Sequence, residues 1–66
     1  MKHEKYILEM VREQIILENR KEIKVAQNVY KEILKYCEEN NIDFVNAMRG
    51  AISYLENKEN LKIHNL

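Results

Sequence analysis

The sequence predicts a mainly α-helical domain with one short segment whose conformation decides the architecture. Two observations carry this. Apolar residues recur at spacings of three and four over most of the chain, the mark of amphipathic helices. The chain holds one glycine and no proline, so helix breaks have to come from asparagine and aspartate. The open segment is Arg20-Lys21-Glu22-Ile23-Lys24-Val25-Ala26, where local patterns support both a helix and a strand.

The first element is a helix over 3–18. Tyr6, Ile7, Met10, Val11, Gln14 and Leu17 follow helical spacing, and Leu8, Ile15 and Ile16 broaden the apolar face. A helix that is apolar on several sides needs a partner surface. The clearest break is Asn40-Asn41-Ile42-Asp43. Asparagine tolerates the left-handed conformation that ends helices, and Asp43 suits the N-cap of the next one. On either side of this break the spacing predicts helices over 28–40 and 43–57. The first is marked by Val29, Ile33, Tyr36 and Cys37, with Tyr30 and Leu34 beside them. The second is marked by Ala47, Met48, Ala51, Ile52 and Leu55.

Segment 20–27 has two readings. As a helix it would start at a capping box, Asn19 to Glu22, and Ile23 and Ala26 would extend the apolar stripe. As a strand it would show β-branched Ile23 and Val25 alternating with Glu22 and Lys24, and Asn28 would cap the following helix. Local rules support both. Beyond the last helix, 58–66 reads as a tail whose Leu61, Ile63 and Leu66 either pack back or stay loose.

The chain has 66 residues, which fits one domain over 1–66. A monomer of this size buries about 60% of its unfolded surface, and small chains without staples often gain core area by oligomerising. A homodimer is the default expectation. One cysteine permits no intramolecular disulfide, and no Cys/His set has zinc-ligand spacing. No metal or cofactor is expected. Lys+Arg and Asp+Glu are both 11, whereas nucleic-acid binders usually carry a basic excess. The longest aliphatic run, Ile15-Ile16-Leu17, is far short of a membrane span. The start of the sequence lacks the apolar stretch of a signal peptide. A lone cysteine then points to a reducing compartment, the cytoplasm.

The register of residues 20–57 resembles the ribbon-helix-helix family of DNA-binding proteins, which run strand, helix, tight turn, helix. Ile23 and Val25 stand at the strand core positions. Val29-Tyr30, Ile33 and Tyr36-Cys37 match the apolar positions of the first helix. Asn41-Ile42-Asp43 is similar to the family's Gly-Ile-Ser turn, and Ala47 to Leu55 is similar to its second helix. The resemblance implies a ribbon-helix-helix dimer with one short strand per chain and an extra N-terminal helix. The alternative is an all-α three-helix bundle.

The function implied by the resemblance is sequence-specific DNA binding by a small transcriptional repressor. Paired strands of two copies would enter the major groove of an operator, where base edges carry a unique code. Arg20, Glu22 and Lys24 would face the bases. Asp43, Phe44 and Val45, at the start of the second helix, would meet a phosphate. Ile23, Val25, Val29, Ile33, Tyr36, Cys37, Met48, Ile52 and Leu55 would form the dimer core. The competing reading is a helical protein-interaction module, an anti-regulator or inhibitor that does not bind DNA. It would grip its partner through Tyr6, Ile7, Met10, Val11 and Leu17.

Other side chains have plainer expectations. Cys37 reads as a small core residue. His3 and His64 read as exposed and inert. Tyr6, Tyr30, Tyr36 and Tyr54 read as core and rim aromatics. Gly50 lies inside a predicted helix, where it costs about 1 kcal/mol against alanine. A close helix approach at the dimer centre would account for it. No nucleophile–base pair, paired carboxylates or phosphate loop is present, so an enzyme is not expected.

Overall fold

The structure, a computed structural model, describes residues 2–62. Among them the chain forms α1 (Lys2–Asn19), α2 (Ile23–Glu39) and α3 (Phe44–Lys58), and no strand. The first and third helices fall where the periodicity puts them, and the second begins five residues earlier. The ribbon-helix-helix architecture is therefore corrected to the all-α three-helix alternative.

The helices run up, down and up. Tyr6 near the start of α1 stacks on Tyr36 near the end of α2, with ring centroids 4.3 Å apart. α3 runs alongside α1 in the same sense: Arg12 pairs with Glu59 just past the end of α3, and Asn19 donates to the carbonyl of Lys62. α1 lies at the centre and packs against both neighbours, which touch each other far less. The result is a slab of 30 × 27 × 18 Å.

One core joins the three helices. Val11, Ile33, Cys37 and Leu55 are fully buried, and Ile7, Ile15 and Ala51 complete the cluster. Val29, Tyr36, Met48 and Ile52 pack against it half-buried. Most of the residues expected to form a dimer core therefore serve a core within one chain. Ile23 and Val25 do not, being 47% and 46% exposed.

The strand reading of 20–26 fails for a local reason. Lys21 adopts a left-handed backbone, φ 65°. The Glu22 N–H bonds the Leu17 carbonyl at 2.9 Å, and the Lys21 N–H bonds the Glu18 carbonyl at 2.9 Å. This pair is the Schellman closure of a helix end. It turns the chain within three residues, and α2 begins at once. A single strand would leave its N–H and C=O groups unpaired; as a helix, the Ala26 N–H reaches the Glu22 carbonyl at 3.0 Å. Ala26, 1% exposed, is the side chain that anchors this end of α2. The expected capping box is not formed either. Glu22 occupies the cap position without a side-chain bond, and Asn19 is the last residue of α1. Asn28 lies inside α2 rather than at its cap.

The second break behaves as expected. Asn41 is left-handed at φ 56°, the Ile42 N–H bonds the Cys37 carbonyl at 2.9 Å, and Ile42 packs on the core. Asp43 caps α3 by accepting from the Asn46 N–H at 3.3 Å. A third left-handed residue, Asn60, turns Leu61 back onto the core. Ile63, His64 and Leu66 lie outside the described residues. No described helix is long and apolar enough to cross a membrane.

A candidate docking groove between α1 and α3

α1 and α3 lie side by side, and the residues facing each other along their first halves differ in size. α1 contributes Ile7 and Leu8, with His3, Glu4 and Lys5 at the rim. α3 contributes Ala47, Gly50, Ala51 and Tyr54, and Ile42, Asp43 and Asn46 close the end. Alanines and a glycine cannot fill the space that the branched residues of α1 leave. The result is an open, mainly apolar groove of about 760 Å³. Tyr54 forms one lip and is 47% exposed. A Cβ built on Gly50 would meet nothing within 4 Å, and the glycine has no positive φ. Neither packing nor backbone geometry within one chain calls for glycine here.

The far end of the α1–α3 pairing is closed electrostatically. Arg12 grips Glu59 through two bonds, Nε to Oε1 at 2.9 Å and Nη2 to Oε2 at 2.6 Å. The hydrogen bond from Arg12 holds the Glu59 carboxyl below its ordinary range, and the same bond raises the guanidinium. Cys37 lies in the core, where burial pushes its thiol up and the Asp43 charge adds to the shift.

The residues expected to contact DNA are split between two places. Arg20, Glu22 and Lys24 lie exposed at the α1–α2 turn and the first turn of α2. Asp43, Phe44 and Val45 lie at the α2–α3 turn. The 17 residues of α2 separate them by about 25 Å at 1.5 Å per residue. Asp43 already fills the α3 N-terminus, accepting from both the backbone and the side-chain amide of Asn46. Phe44 turns inward against Tyr30, ring centroids 5.4 Å apart, and Val45 is exposed.

The α1 residues expected to grip a partner mostly face the core. Ile7 and Val11 are buried, Met10 packs on the core and Tyr6 stacks on Tyr36. His3 is exposed but not inert: its Nδ1 hydrogen-bonds the Tyr36 hydroxyl. Cys37 is a core residue, as expected.

Sequence reasoning missed three features. The Arg12–Glu59 pair spans elements, and no local spacing announces it. Gln14, expected only to follow the apolar stripe, is buried with its Oε1 unpartnered, and its amide reaches Glu18 at 3.4 Å. The groove itself had one signal, the isolated glycine at position 50.

Among the described residues no group of His, Cys, Asp and Glu could hold a metal ion. No known family model, curated protein or solved structure matches the chain.

Proposed function

We propose that the protein is a helical interaction module of the cytoplasm, and that the α1–α3 groove receives a helix of another polypeptide. The observation that carries this is the groove: apolar walls, an exposed Tyr54 lip and an open place above Gly50. Helix-in-groove recognition needs an apolar trough with a few anchoring side chains at its edge. A glycine in an exposed helix interior costs about 1 kcal/mol, and a closely seated partner helix gives that cost a purpose. The buried free thiol of Cys37 suits a reducing compartment.

The test is a photoreactive benzoylphenylalanine at position 54, with position 25 as the exposed control. Illumination in the cell of origin gives a polypeptide adduct from 54, none from 25, and none from 54 in the Gly50→Leu background. Absence of any adduct from 54 overturns the reading.

A second reading keeps DNA as the ligand, on a different face. Arg20, Lys21, Lys24, Lys31 and Lys35 are all exposed, and positions 24, 31 and 35 follow one line along α2 at helical spacing. Only Glu22 and Glu32 oppose them between 20 and 35. Such a stripe suits phosphates rather than bases, because lysine carries a point charge. Replacing Lys24, Lys31 and Lys35 by alanine would lower affinity for duplex DNA and reduce the salt slope by about one per lysine. Unchanged binding in a salt titration rejects this reading.

A further inference from the structure

Resting on the docking-groove reading, we infer that α3 of a second copy of this chain packs antiparallel along the outer face of α3 and sets its Tyr54 in the groove. The support is charge and shape on the outer face of α3. Asn46, Gly50, Ser53 and Asn57 are exposed and fall on one line at spacings of four, three and four. The line is uncharged in a chain that is 33% charged. Exposed Arg49 and Glu56 flank it on the same side, and neither makes an ion pair among the described residues. Tyr54 flanks it on the groove side.

A two-fold axis midway between Gly50 and Ser53 makes this face complementary to itself. Asn46 of one copy lies opposite Asn57 of the other, and an amide can both donate and accept. Gly50 lies opposite Ser53, so nothing large separates the backbones. In an antiparallel pair related by such an axis, equivalent flanks meet on the same side. Arg49 then stands about 3 Å along the axis from the second copy's Glu56, two residues at 1.5 Å each, and symmetry makes this ion pair twice. On the other flank the same offset lays Tyr54 over the second copy's Ala47, within its groove. A parallel pair would bring opposite flanks together, set Arg49 against the second copy's Ala47 and Tyr54 side, and lose this match. The formal net charge of zero removes long-range repulsion between copies.

Sedimentation equilibrium of the full chain over a wide concentration range tests the inference. The expected result is a monomer–dimer equilibrium in which Arg49→Glu and Glu56→Arg each raise Kd by at least about tenfold, because each places like charges together twice. The double variant, with both charges exchanged, regains dimerisation. Gly50→Leu abolishes it while the helical circular dichroism is unchanged, and the charge variants decide the matter should that chain not fold. A wild-type chain that stays monomeric overturns the inference, as does a dimer indifferent to both charge reversals. A monomeric chain that still gives the position-54 adduct overturns self-docking alone. A monomeric chain with no adduct overturns the docking-groove reading as well.

Discussion

The two interhelical turns close by the same geometry and are written in different letters. At each, a left-handed residue follows the helix, Lys21 in one and Asn41 in the other. At each, the next N–H reaches back to a carbonyl five residues earlier, at 2.9 Å. The turn at 40–43 announces itself through two asparagines and a capping aspartate. The turn at 20–22 uses arginine, lysine and glutamate, which elsewhere in this chain mostly occupy exposed helix positions. The closure is a property of the backbone, and a surrounding core can impose it on residues that do not favour it. Asparagine makes it cheap; lysine has to be held there.

What holds each turn also differs, and the largest predicted effect follows from that. Ile42 follows the left-handed Asn41 and packs on the core, whereas Glu22 follows Lys21 and is exposed. Ile42→Ala should lower stability by about 2 kcal/mol, and Glu22→Ala should change it by less than about 0.5 kcal/mol. Urea denaturation followed by circular dichroism measures both. Equal losses would mean that the turns are anchored alike.

Next in size is the strain itself. Lys21→Gly should raise stability by about 1 kcal/mol, since it removes the left-handed penalty. Asn41→Gly should gain only a few tenths, because asparagine already tolerates this conformation. A gain at 41 that matched the gain at 21 would dissolve the distinction. The cap gives a comparable effect of opposite sign: Asp43→Ala should cost about 1 kcal/mol, a loss with no counterpart at Glu22, whose side chain makes no cap bond.

The smallest effect concerns the Arg12–Glu59 clamp, exposed by a third on either side. The Glu59 carboxyl is held below its unfolded value by Arg12. Its contribution is therefore complete above the unfolded value and disappears as pH falls through the folded one. Melting curves of wild type and Arg12→Met should differ slightly at neutral pH and converge in acid. A difference that grew on acidification would contradict the assigned sign.

These turns also show how far the sequence can be read. The helices around 40–43 were legible because asparagine, aspartate and a 3.6-residue apolar stripe agree there. Segment 20–26 was not. Ile23 and Val25 alternate with charged residues as a strand would, yet both lie exposed on a helix, and the burial that decides the matter belongs to Ala26 alone. An alanine contributes little to any periodicity. The groove was half legible. Gly50 marked one wall of the groove, but the space comes from small residues of α3 facing branched ones of α1, and that pairing exists only in three dimensions. The expected DNA-facing residues were chosen for a ribbon; without it, α2 holds the two groups apart.

The burial of Cys37 gives the chain a built-in reporter. Its sulfur is fully enclosed by the core that joins all three helices and its thiolate form is disfavoured. Only the thiolate reacts with a disulfide reagent. Labelling therefore waits for an opening large enough to take the core apart, and when reclosing is fast its rate follows the population of open molecules. The unfolding equilibrium of the native sequence can then be followed in water, without denaturant, from the colour released by a single sulfur atom.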